Sequence, residues 1–200
     1  MKILIIGGHG TIGKKVDDHF NKNHDVIIGG RSQGDVHIDI ADSNSIHSTL
    51  ESIGELDAII CIAGEAKWDE FDKMTEEDFY IGIKSKLMGQ VNLVRIGKHF
   101  LKPDGSITLS TGILADDPVP LTTSAAMVNG ALHSFVKALE LELKNDIRVN
   151  VVSLGLVEDS YEKYKDFFPK HIPISMENSV NAYVRSVEGK ESGQVIRVYE

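Results

Sequence analysis

Two hydrophobic patterns alternate along the chain. Short runs of aliphatic and β-branched residues are separated by longer stretches in which apolar positions recur every three or four residues. Three of the short runs, Ile3-Leu4-Ile5-Ile6, Ala58-Ile59-Ile60-Cys61 and Val149-Asn150-Val151-Val152, have almost no polar interruption. A strand reads this way when helices cover both of its faces. The pattern predicts strands at Lys2–Ile6, Asp25–Ile28, Val36–Ile38, Ala58–Cys61, Ser106–Leu109, Ile147–Val152 and Gln194–Val198. It predicts helices at Ile12–Phe20, Ser43–Ser52, Thr75–Phe100, Thr123–Leu143 and Asn178–Val187. Asp42-Ser43 and Thr75-Glu76-Glu77-Asp78 supply helix-start chemistry, a capping side chain and, in the second, acids facing the positive end of the helix. The alternation of the two element types predicts an α/β fold, a doubly wound parallel sheet of about seven strands with helices on both faces.

The 200 residues suit one domain, 1–200, without repeat, low-complexity tract or linker. The formal charge is −9, which argues against a nucleic-acid or anionic-membrane surface, since either needs clustered Lys and Arg. The apolar start Ile3–Ile6 is broken by Gly7 and no longer apolar stretch follows, so neither a targeting nor a membrane-spanning segment is expected. Cys61 is the single cysteine; it allows no internal disulfide and suits a reducing cytoplasm. The eight histidines show no ligand spacing, so no metal site is expected.

The segment Gly7-Gly8-His9-Gly10-Thr11-Ile12-Gly13 joins the first strand to the first helix. A pyrophosphate placed there would meet backbone N–H groups and the positive end of a helix dipole. Gly7 permits the tight turn, Gly10 a close approach, and Gly13 the packing of helix on strand. In this context the triplet points to a Rossmann-type dinucleotide site. His9 could touch a phosphate, although a solvent-facing spacer is the simpler role. At the end of the second strand, where an acid would take the ribose hydroxyls of NAD, the chain carries Arg31 and Ser32. A guanidinium fork and a hydroxyl suit the extra phosphate of NADP, so NADP is expected and NAD less so.

With these residues placed, the whole chain resembles the short-chain dehydrogenase/reductase family. The glycine loop is similar to the family's cofactor loop, and Asp39-Ile40 to its adenine-contacting pair. Ala63-Gly64 matches the last half of an Asn-Asn-Ala-Gly motif, with Cys61-Ile62 in place of both asparagines. Ile147–Val152 resembles the strand before a Pro-Gly motif, where Leu154-Gly155 stands here. The resemblance implies cofactor contacts at Thr11, Ile12 and Gly155 as well, and an oxidoreductase acting on a small carbonyl or alcohol.

The resemblance also implies a Tyr proton donor and a Lys four residues later on the helix after the fifth strand. Alignment on Phe135 puts Ala125 and Asn129 at those positions. The family's helical Asn falls at Lys86, and its catalytic Ser near Ser110-Thr111-Gly112. The remaining proton-donor candidates are Ser110, Thr111, Ser124 and Lys86. An NADP-binding sensor without chemistry is the alternative reading. Tyr80…Lys84 and Tyr161…Lys165 match the Tyr-x-x-x-Lys spacing on other segments, and Tyr161 and Tyr164 are expected to pack within a short lid over Glu158–Ser175. His133 is expected in the core or at an interface. The helix from Thr123 is apolar on more than one face, which suggests a homodimer or homotetramer, as is common in the family.

Overall fold

The computed structural model describes residues 1–143 and 147–200. The continuous apolar runs become the centre of the sheet. β1 (Lys2–Ile6) and β4 (Leu56–Cys61) pair in parallel. β2 (Asp25–Gly30) and β3 (Val36–His37) extend the sheet on one side. On the other side lie β5 (Leu101–Gly112), β6 (Ile147–Leu154) and β7 (Val195–Val198). The order is β3-β2-β1-β4-β5-β6-β7, seven strands, all parallel. Its direction of winding reverses between β1 and β4, which opens a crevice at the carboxyl ends of the strands, the usual ligand position in such sheets.

Alternating side chains along each strand divide the core between the two faces. Ile3, Ile5 and Val152 pack under α1 (Thr11–Phe20) and α7 (Met176–Glu188), against Val16, Phe20 and Tyr183. Leu4, Ile6, Ile59 and Val149 pack on the opposite face. They are covered by α2 (Ser43–Ile53), α4 (Gly89–Gly97) and α5 (Thr123–Glu140), which contribute Leu50, Leu93 and Val136. A third cluster sits over the carboxyl edge, where Ile113, Leu114, Ala125, Leu156 and Phe168 meet Trp68, Tyr161 and Tyr164. Tyr161–Tyr164 form the single turn α6 and, with Trp68 and Tyr164 ring centroids 5.9 Å apart, supply the expected lid. No described helix is long and apolar enough to cross a membrane.

One element differs in kind from expectation. The stretch Thr75–Phe100 is helical without a gap over 76–97, but it is not uniformly α. It comprises α3 (Glu76–Gly82), a π-helical segment at Ile83–Met88, and α4. Buried glycines stand at both junctions, because Gly82 packs against Ser124 and Val128, and Gly89 against Ile40. Wide π turns collect at functional sites, and this one carries Lys86. Strand ends also ran longer than the hydrophobic pattern. Backbone pairing carries β5 through Ser110, Thr111 and Gly112, opposite Val152, Ser153 and Leu154, where polar and glycine residues hide a strand from its apolar signature. α5 ends at Glu140, three residues before the expected boundary at Leu143.

Candidate functional site

The turn from β1 into α1 is shaped by glycine. Gly7 has φ +87°, in the left-handed region, and an added Cβ would lie 2.9 Å from the Ile62 carbonyl oxygen. At Gly13 a Cβ would stand 2.1 Å from the Gly7 oxygen. Gly10 is different. It occupies the N-cap of α1 with no side-chain cap, and its Cβ would meet only the Gly7 oxygen, at 3.3 Å. His9, Gly10 and Thr11 are exposed. The first-turn amides of α1 have no capping side chain, so they remain available to an anion.

Beside this turn a cleft of about 300 Å³ is lined by Gly7, Arg31, Ser32, Asp39, Ile40, Ala63 and Gly64. Seven residues named from the sequence are thus brought together. Asp39 Oδ1 accepts a hydrogen bond from the Ala41 amide at 2.9 Å, and its backbone N–H donates to Ser45 Oγ at 3.0 Å, which ties the turn after β3 to α2. Arg31 Nη1 lies 3.4 Å from Glu65 Oε1, and both side chains are exposed. A pair of this kind contributes roughly 0–1 kcal/mol, so a phosphate could displace Glu65 at little cost. Glu65 carried no signal in the sequence.

A second cavity, of about 340 Å³, lies further along the carboxyl edge and takes in Ile12, Lys86, Thr111, Gly155, Trp68 and Tyr164. Lys86 is half-buried against Gly64, whose added Cβ would sit 2.9 Å from Lys86 Cα. Burial pulls the Lys86 ammonium below the ordinary lysine range. Among the described residues no carboxylate pairs with it. Thr111 Oγ1 lies 2.8 Å from His133 Nε2. Burial also lowers the His133 imidazole, opposed by the nearby Asp116 carboxylate.

Two of the proposed proton donors are not in this cavity. Ser110 turns to the α7 face, where its hydroxyl donates to the Cys61 carbonyl at 2.5 Å and lies 2.9 Å from Tyr183 Oη. Ser124 is fully buried, with its Oγ 3.2 Å from the position of an added Gly82 Cβ. Strand alternation explains the first, because adjacent residues on β5 face opposite sides of the sheet. Close packing of α5 on α3 explains the second. Thr111 and Lys86 are the two candidates that line the cavity.

On α5, Ala125 and Asn129 both lie on the buried face, Ala125 in the third apolar cluster and Asn129 with an unpartnered Oδ1. Tyr80 and Lys84 are exposed, with the ammonium 5.6 Å from the ring and Tyr80 Oη donating to Glu76 at 2.8 Å. They lie outside the second cavity. Cys61 is buried, and its thiol is pushed up to about 11.

Three features had no sequence reading. Gln90, fully buried, donates to the Ser110 carbonyl at 3.0 Å and accepts from the Ser110 amide at 2.9 Å. An amide side chain within an apolar helix was the available signal. Trp68 forms the wall facing the lid. Arg197 and Tyr199, hydrogen-bonded to Asp116 at 2.7 and 2.5 Å, hold its carboxyl down at about 2.

Comparison with known proteins places this arrangement among relatives. Residues 14–195 match the family profile described as enoyl-(acyl carrier protein) reductase. The crystal structure of the protein lin1944 from Listeria innocua is 40% identical, superposes with a TM-score of 0.97 and covers both chains completely. A small-chain dehydrogenase solved in complex with NADPH is 26% identical, with a TM-score of 0.88 over 99% of this chain and 96% of that one. A tropinone reductase homolog from Datura stramonium is 26% identical over 186 residues, covering 78% of this chain and 68% of the relative. Other curated relatives are longer, and the chain spans 43–57% of their length.

Proposed function

Because the chain belongs to the short-chain dehydrogenase/reductase family, we propose that it is an NADP(H)-dependent oxidoreductase acting on a small carbonyl compound or the matching alcohol. The observation that carries this reading is Arg31 with Ser32 on the cleft beside the glycine turn, at the strand end where an acid would favour NAD. The amides of Thr11, Ile12 and Gly13 would take the pyrophosphate, with His9 beside them and Gly10, whose own amide donates to the Gly7 carbonyl at 3.1 Å, allowing the close approach. Arg31 and Ser32 would take the ribose phosphate. Asp39, Ile40, Ala63 and Gly64 would border the adenosine half, with Ile12 and Gly155 at the nicotinamide half. A bound dinucleotide would supply a hydride to the acceptor carbon. Lys86, which no carboxylate pairs with among the described residues, would polarise the carbonyl oxygen, and Thr111 would offer it a hydroxyl. The related dehydrogenase solved with NADPH supports the choice of cofactor.

The test is titration of NADPH and NADH into wild type and Arg31→Ala. A charge-assisted hydrogen bond contributes about 1.5–3 kcal/mol, so wild type should prefer NADPH by at least about tenfold and Arg31→Ala should lose most of that preference. Equal wild-type affinities would overturn the assignment.

Ala125 and Asn129, where the resemblance places Tyr and Lys, favour a second reading, an NADP(H) sensor without turnover. A panel of carbonyl compounds followed by NADPH absorbance separates the two. Tight binding with no turnover on any compound selects the sensor.

The outward apolar residues near α4 and α5, with Met88 and Met127 40% and 43% exposed, support a homodimer or homotetramer. Light scattering at micromolar concentration should give a multiple of the 22.0 kDa chain mass, and a monomer mass would remove the proposal. The single buried thiol is consistent with a reducing cytoplasm.

A further inference from the structure

Among the described residues lining the inner cavity, Thr111 alone has its side chain hydrogen-bonded to another side chain, the His133 imidazole at 2.8 Å. His133 belongs to the same buried face of α5 as Ala125 and Asn129, eight and four residues after them respectively. Eight helical residues span about 12 Å, so the imidazole cannot stand where a donor at position 125 would. It reaches the cavity through Thr111, at the carboxyl end of β5. Thr111 Oγ1–H also donates to the Val152 carbonyl oxygen at 3.5 Å, a long, weak bond that a ligand oxygen can displace when His133 Nε2–H donates to Oγ1. His133 Nδ1 has no partner among the described residues.

We propose that Thr111 is the proton donor of this site and that His133 resupplies it, so that a Thr–His relay does the work for which Ala125 and Asn129 have no groups. The proposal rests on the reductase reading above. In reduction, both electrons and the hydrogen of the new C–H bond would come from the reduced nicotinamide. Thr111 Oγ1–H gives its proton to the former carbonyl oxygen, His133 Nε2–H passes its proton to the Thr111 oxygen, and Nδ1 takes one from solvent. One proton is consumed, and the imidazole ends neutral in its other tautomer. Thr111 is the catalytic residue; His133, acting through it, is a positioning residue. The charged groups that face the imidazole are Asp116 from the turn after β5, Arg197 from β7 and Lys137 on α5 itself. Burial outweighs the attraction of Asp116 and keeps the ring neutral near pH 7.

The test uses the full chain as wild type, Thr111→Val, Thr111→Ser and His133→Gln, with diacetyl and phenanthrenequinone as carbonyl probes. Thr111→Val should lose about 100-fold or more in kcat, the usual scale of general acid catalysis, and keep NADPH affinity within about twofold. Thr111→Ser should retain turnover within about tenfold. Wild-type kcat for reduction should rise as the pH falls through the His133 titration, because an imidazolium is the stronger donor. That rise should vanish in Thr111→Val and in His133→Gln. Without any cofactor, the ring nitrogens of His133 followed by NMR should titrate at a different pH in Thr111→Val than in wild type. Wild-type kcat in Thr111→Val, or an unchanged His133 titration, overturns the relay and leaves the reductase reading standing. No turnover of either probe by wild type with NADPH bound overturns both. If Thr111→Val does not fold, His133→Gln decides: a retained acid-side rise overturns the relay and its loss supports it.

Discussion

Gly13→Ala should both destabilise the protein and abolish dinucleotide binding. The added Cβ would stand 2.1 Å from the Gly7 oxygen, 2.8 Å from Gly8 Cα and 2.9 Å from the Gly7 carbonyl carbon. All three are backbone atoms, so no rotamer change relieves the overlap and the turn itself must move away from α1. Overpacking on this scale costs about 1–3 kcal/mol or more. For a chain of this size that lowers the melting temperature by roughly 2–12 °C. The displaced Gly7 oxygen accepts from the Gly10 amide at 3.1 Å, so its movement would shift the helix start that presents the proposed anion-binding amides, and NADPH affinity should fall by about 100-fold or more, since two lost charge-assisted hydrogen bonds are enough for that. Gly10→Ala separates packing from binding. Its Cβ meets only the Gly7 oxygen at 3.3 Å, and its backbone is extended with φ −72°. Stability should change by no more than about 1 kcal/mol, the scale of an N-cap substitution, while affinity still falls. Calorimetric melting and NADPH titration read the two effects. Wild-type affinity in both variants would remove the glycine turn from the cofactor site.

Gln90→Met should be the other large change, and it acts through backbone. Gln90 satisfies both the N–H and the C=O of Ser110 at the point where β5 runs past the end of its pairing with β4, whose last paired residue on β5 is Thr108. Methionine keeps much of the volume but offers no donor and only a weak acceptor. Two buried peptide groups are then left unpartnered, at about 1–3 kcal/mol each. The expected loss of about 2–6 kcal/mol should appear as a lower denaturant midpoint with an unchanged slope. Amide exchange at Ser110–Gly112 should accelerate more than at the centre of β5. Because Thr111 is held on the same stretch, NADPH-linked turnover should fall with it. Unchanged exchange at Ser110 would show that the strand end is held by its β6 ladder alone.

The order of strands and helices, the parallel sheet and the placement of the glycine turn were legible in the chain by itself. These depend on short-range periodicity and on glycine, both of which act within a few residues. The same holds for the buried face of α5, since Ala125, Asn129 and His133 repeat at helical spacing. Arg31 and Ser32 were legible for a related reason, as they directly follow a strand whose end must reach the crevice.

The change to a π-helical turn at Ile83–Met88 was not legible. Its two flanking glycines are ordinary helix residues until α5 and the turn after β3 close on them, against Ser124 and Ile40. Nor could the choice among hydroxyls at the end of β5 be read from Ser110-Thr111-Gly112. Strand side chains alternate, so hydroxyls at adjacent positions face opposite sides of the sheet, and only the helices packed there decide which side meets a ligand. Tyr183 on α7 and the Cys61 carbonyl take Ser110, while His133 on α5 meets Thr111 at the cavity. Sequence determined that a hydroxyl and a glycine turn belong at this edge. Tertiary structure decided which hydroxyl faces the cavity and what stands behind it, because such contacts join residues 22 to 73 positions apart and no local pattern carries them.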